Sequence, residues 1–128
     1  MCKYDELLAE YDDRLFISER SMINDGLYGD GCVWIRSNMT CARKACILAE
    51  EIGHYETSYG NILDQKDMNN VKQEVKARRW AFEKLISEED IRRARDEGCR
   101  EVWEIAEFLD LDEDFVRDAL KHFGILDV

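Results

Sequence analysis

From about Thr40 to Tyr55 apolar residues recur at helical spacing on more than one side, with Leu48, Ile52 and Tyr55 along one face and Ile47 on another. A helix lying on a domain surface needs one apolar stripe, whereas a helix apolar on several faces has to be enclosed by other elements. The rest of the chain must therefore supply walls around this segment. Upstream, Tyr4 to Tyr11 reads as a short amphipathic helix through Leu7 and Leu8, and Leu15 to Glu19 as a strand. Residues Gly26 to Arg36 then place a Gly29-Asp30-Gly31 turn between two runs rich in aromatic and β-branched side chains, a hairpin signal.

Downstream, Thr57 to Asn70 is rich in Ser, Gly, Asn and Asp and reads as a loop, followed by a long helix from about Asn70 to Ile86. Ser87-Glu88-Glu89-Asp90 opens another helix with a serine cap and an acidic first turn, and Gly98 closes it. Val102, Ile105, Ala106 and Leu109 form the stripe of the next helix. Phe115, Val116, Ala119, Leu120 and Phe123 form the stripe of the last, which stops at Gly124. The expected fold is α+β: a small antiparallel or mixed sheet of about three strands packed on the enclosed helix, then a helical C-terminal half. The chain has no proline, low-complexity tract or internal repeat, so residues 1–128 read as a single domain. Within it, 1–39 give a helix plus the sheet, 40–86 the two long helices and 87–128 a helical tail.

Composition limits what such a domain does. A formal net charge of -11 repels phosphate backbones, so neither duplex nucleic acid nor an anionic bilayer is the expected partner. The last two helices have the spacing of a helix-turn-helix, but Asp112, Glu113, Asp114 and Asp118 outnumber Arg117 and Lys121 there, which argues against direct DNA binding. A lid or partner-docking element suits that tail better. The N-terminus lacks the cationic and apolar regions of a signal peptide and no apolar run reaches membrane-spanning length, so the cytoplasm is expected. The five cysteines (Cys2, Cys32, Cys41, Cys46, Cys99) contain no C-x-x-C pair and are expected to be reduced thiols, with Cys41 and Cys46 packing as small hydrophobes. The tryptophans Trp34, Trp80 and Trp103 are expected in the core, and His122, with no acidic or histidine neighbour at ligand spacing, as a surface or capping residue.

The enclosed helix carries Glu50-Glu51-Ile52-Gly53-His54. This is the H-E-x-x-H pattern with Glu in place of the first His. In that pattern two histidines four residues apart bind a metal, and the intervening glutamate acts as general base. At 100° per residue, Glu50 lies about 40° from His54 and Glu51 about 60° from it on the other side, so all three can be aimed at one spot. A solvated charged face is the ordinary reading of such a string. Glu74 argues against it, because it falls within the apolar sequence Val71, Ala77, Ala81, Phe82 and Leu85 of the following helix. Its modest partner would be Arg78, one turn on. Its functional role would be a third metal ligand, reaching across from the second helix.

Read together, Leu48-Ala49-Glu50-Glu51-Ile52-Gly53-His54-Tyr55 and Glu74-x-x-Ala77-x-x-Trp80-Ala81-x-x-x-Leu85-Ile86 resemble the ImmA/IrrE metallo-endopeptidases. That family's helices read approximately H-E-L-G-H and E-x-x-A-x-x-F/W-A-x-x-L-L/I. The layout is similar as well, with a sheet before the active helix, a Gly60-Asn61-Ile62-Leu63-Asp64 loop after it and a helical tail. The resemblance implies a zincin-like fold and a metal-dependent endopeptidase, with His54 and Glu74 as ligands, Glu51 as general base and Glu50 in the place of the first ligand histidine. It implies one divalent metal, zinc first. A His plus two Glu set is harder than two His plus one Glu, which favours manganese or iron more than the usual set does. A carboxylate-bridged di-iron site would need two Glu-x-x-His pairs, and this chain has one. Tyr55, Tyr59 and Arg78 are candidate transition-state stabilisers, and Cys32 to Arg36 the candidate edge for pairing with an extended substrate. Relatives of this type act on helix-turn-helix repressors of phages and mobile elements. The implied partner is such a repressor, either cleaved or, as an inactive antirepressor would do, gripped without cleavage.

Overall fold

The computed structural model describes residues 2–57 and 68–125. The first helix, α1 (Lys3–Tyr11), buries Tyr4, Leu7 and Tyr11 at the spacing expected of one helical face. Three short strands follow: β1 (Phe16–Arg20), β2 (Gly26–Gly29) and β3 (Cys32–Arg36). Their order across the sheet is β1-β3-β2, with β1 parallel and β2 antiparallel to β3. The sheet is thus mixed, as one of the two expected forms. Asp30 and Gly31, with φ of 50° and 74°, make the tight turn of the β2–β3 hairpin.

The central strand turns Val33 and Ile35 inward, both with no exposed surface, and Trp34 outward. Against that inner face lies the enclosed helix, α2 (Cys41–Thr57), which buries Ala45, Cys46, Leu48, Ala49, Ile52 and Gly53. The other walls are α1 and α3 (Met68–Leu85), and the tail supplies α4 (Glu88–Asp96), α5 (Val102–Leu109) and α6 (Glu113–His122). Ser87 caps α4 in a reciprocal capping box with Asp90. The helix from Cys41 runs on to Thr57 and the next begins at Met68, so both are longer than the sequence pattern suggests. The Gly60 to Asp64 motif lies outside the described residues.

Three expectations are corrected. β3 is the central strand, flanked on both sides, so the free edge beside α2 is β2. Trp34 and Trp103 are 42% and 52% exposed, leaving only Trp80 packed against the core; Trp34 sits on the outer sheet face, where strand alternation sends every second side chain. Cys2 and Cys41 are joined as a disulfide, because folding α1 back on α2 brings together two cysteines whose sequence spacing gave no hint of it. Cys46 remains a buried thiol, pushed up to about 12 by burial. His122, a partly exposed residue in the last turn of α6 as expected, has its Nε2 2.9 Å from Oε2 of Glu83 on α3 and its ring against Phe82.

No helix among the described residues is long and apolar enough to cross a membrane. On α6, Arg117 is held by Glu113 and Asp114 of its own helix, whereas Asp118 reaches across to α3. That last contact leads to the site.

Candidate metal centre

Helices α2 and α3 touch where Gly53 meets Ala77. A Cβ at position 53 would run into the Ala77 carbonyl, so the absence of a side chain is what lets the two backbones come this close. On either side of that crossing the helices exchange one polar pair each. One turn in one direction, His54 Nε2 lies 3.2 Å from Glu74 Oε1; in the other, Arg78 Nε lies 3.5 Å from Glu50 Oε1. The spacing of four residues on each helix sets the two rungs in register.

Glu51 stands apart from both rungs. It lines a cleft of about 640 Å³ with His54, Gln73, Glu74 and the β2 residues Gly26, Leu27, Tyr28 and Gly29, plus Asp30 of the turn. Gly26 matters here too, since any side chain on it would strike Ile47 and crowd the Glu51 carboxylate. Burial between strand and helix, reinforced by the Glu50 and Glu74 carboxylates, raises the Glu51 pKa to about 7. Burial also raises the Glu50 carboxyl above its ordinary value, opposed by the Arg78 guanidinium and assisted by Glu74.

Each sequence-selected residue can now be placed. Glu51, His54 and Glu74 share the cleft; Glu50 does not line it and faces Arg78. The helical arithmetic contains the reason, because Glu50 and Glu51 flank His54 on opposite sides and are 100° apart on the helix. Glu51 falls toward β2 and Glu50 toward α3. Glu74 was expected in an apolar stripe, and this is corrected: its side chain is 62% exposed and Val71 is 71% exposed. The buried stripe of α3 starts only at Ala77, and the preceding turns project past the core to form the cleft rim. Arg78 is not the partner of Glu74 but of Glu50 and, at 2.6 Å, of Asp118 on α6. Tyr55 packs edge-on against Tyr11 and Tyr28 with centroids 6.4 and 6.2 Å apart. Tyr59 lies outside the described residues. Sequence reasoning missed Asp118 and Tyr28, and nothing in either residue's local pattern signals the role: each arrives at the site through tertiary packing.

As a donor set the cleft fits a divalent cation in part. His54 and Glu74 present a nitrogen and an oxygen already within 3.2 Å of each other, at the mouth of an open cleft that holds a carboxyl of near-neutral pKa. Among the described residues no group of three or more His, Cys, Asp and Glu side chains is gathered for a metal, and Glu50 is paired with Arg78.

Comparison with known families decides the lineage. The IrrE N-terminal-like domain family of peptidases matches residues 7–121. The chain belongs to this family. The match spans the sheet, both site helices and nearly all of the tail, and the family is one of zinc-dependent peptidases. No curated protein and no solved structure matches the chain significantly.

Proposed function

We propose that this chain is a metal-dependent endopeptidase whose substrate is a helix-turn-helix repressor of a phage or mobile element. The observation that carries the reading is the shared cleft of Glu51, His54 and Glu74, bounded by the open β2 edge. His54 and Glu74 would hold the metal, zinc first and manganese or iron as harder alternatives, with Glu50 as third ligand once it leaves Arg78. When bound, the metal supplies Lewis-acid polarisation of the scissile carbonyl. Glu51 takes the proton of the attacking water and returns it to the leaving amine, a task for which a pKa of about 7 is well matched at neutral pH. The β2 edge orients the substrate by strand addition, aligning an extended segment along the cleft wall. Cleavage of a repressor in the cytoplasm would release the genes it holds off.

A second reading is supported by one specific observation, the Arg78–Glu50 pair, which takes one of the three expected ligands. On that reading the chain is an antirepressor that grips the same partner without cutting it. The two are separated by metal analysis and repressor cleavage with the wild type and Glu51→Gln. Retained metal with cleavage lost in the variant supports the peptidase. Full cleavage by Glu51→Gln removes Glu51 from the general-base role, and repressor binding by a metal-free wild type that cleaves nothing transfers the conclusion to the gripping protein.

A further inference from the structure

Among the described residues Arg78 is the cation paired with Glu50, with Arg43 acting on the same carboxyl without such a pair, and the position of Arg78 is built rather than incidental. Its guanidinium is fixed at one side by Asp118 on α6, at 2.6 Å, and at the other stands 3.5 Å from Glu50. Its Nε is enclosed and makes no hydrogen bond, although Glu50 Oε1 is close by. A donor left unsatisfied beside a carboxylate marks a contact that is electrostatic and incompletely consummated, which makes it a contact that can be exchanged. The Arg78 guanidinium also sits 5.7 Å from the Phe82 ring, so its stem is packed while its head is held between two acids.

We propose that Arg78 is an internal counter-cation that competes with the metal for Glu50, with Asp118 as the anchor that holds it in place. The inference rests on the metal-site reading given above and adds a control element to it. In the arrangement described, Glu50 is faced by a charge belonging to the protein itself, and the cleft offers an incoming ion only His54 and Glu74 from the expected ligand set. Two protein ligands hold a divalent ion weakly; three are the usual minimum for a retained catalytic metal. Metal occupancy is therefore set by which cation Glu50 faces. Because Asp118 belongs to α6, the balance also depends on how the tail is docked.

The test is a double-mutant cycle on metal affinity, measured by calorimetry with Zn2+ and Mn2+ on the full chain after chelation. Arg78→Gln is expected to bind Zn2+ at least tenfold more tightly than the wild type, and Arg78→Met, which keeps the packed stem over Phe82, to show the same gain if Arg78→Gln folds poorly. In a Glu50→Gln background the gain should vanish, because no contested ligand remains. An equal gain in that background would mean that Arg78 acts only by general repulsion, and no gain in either variant would mean that it does not compete at all; each result overturns the proposal. Glu74→Gln supplies the separate check on the site itself. If wild-type binding is indifferent to Glu74, the metal-site reading fails irrespective of Arg78, and if binding needs Glu74 yet ignores Arg78, only the competition fails.

Discussion

Replacing Glu51 by Gln removes a carboxyl while preserving its shape, and the structure fixes both the sign and the size of the effect on stability. Burial against β2 and the nearby Glu50 and Glu74 carboxylates hold the Glu51 pKa at about 7, against an ordinary value of 4.5. Below the lower value the folded and unfolded chains both keep the proton. Between the two values the unfolded chain releases it and the folded chain does not, so the stability present at low pH is lost as pH rises through about 7. The gap between the values, at about 1.36 kcal/mol per pH unit, sets a ceiling of about 3 kcal/mol. Water at the cleft mouth screens part of this, leaving about 1 to 2 kcal/mol. Urea unfolding followed by tryptophan fluorescence, with chelator present, measures it at several pH values from about 4.5 to 8. The Gln variant should match the wild type at the acid end and exceed its stability by that amount at the alkaline end. The difference between the two proteins is the quantity to read, since titrating groups remote from Glu51 cancel in it. A difference independent of pH, or one that shrinks as pH rises, would refute the argument that Glu51 is a buried carboxyl crowded by two others.

Two further outcomes follow from the helix crossing. Gly53→Ala puts a methyl group against the Ala77 carbonyl and should cost about 1 to 3 kcal/mol in the same urea assay, as overpacking does elsewhere; an unchanged midpoint would mean the helices are not in contact there. Glu50→His restores the H-E-x-x-H pattern with a ligand that Arg78 does not attract, so calorimetry should show tighter zinc binding from this change alone and little further gain once Arg78→Gln is added. A large further gain from Arg78→Gln in the Glu50→His background would show that Arg78 acts by repulsion and not by holding Glu50.

The legible part of this protein was whatever repeats along one element. Multi-sided apolarity in Thr40 to Tyr55 required an enclosed helix, and α2 is enclosed; Ser87 and Gly98 marked the ends of α4 because capping chemistry is local. Strand order was not legible, since a hairpin signal says which strands are adjacent in sequence and nothing about where a third inserts. β1 joined the far side of β3 and made the expected substrate edge a central strand. The Glu50 orientation failed to show for a related reason. Angular spacing limits where a side chain can point, but Arg78 and Asp118, one from each of two other helices, decide where it does point. The exposure of Glu74 escaped notice because an apolar neighbour in sequence, Val71, belongs to a turn that extends beyond the core.

The rungs across α2 and α3 turn the altered motif from a question about one ligand into one about charge. Glu50, Glu51 and Glu74 gather three carboxyls around the helix crossing, and two features answer that excess of negative charge. Arg78 faces one of them, and Glu51 keeps its proton up to about pH 7. Both answers are provisional, because Arg78 is shared with Asp118 and the proton leaves near neutrality. On the proposed metal-site reading, His54, Glu74 and Glu50 would hold a dication whose charge would take the place of both, leaving Glu51 less reason to stay protonated and Glu50 less need of Arg78. On that reading metal uptake would be linked to loss of the Glu51 proton and release of Glu50, and calorimetry should show it strengthening as pH rises through that range. A histidine at position 50 carries no such fixed negative charge and would not demand an arginine opposite. The glutamate and the arginine therefore have to be interpreted together, as one exchange of charge across the helix crossing.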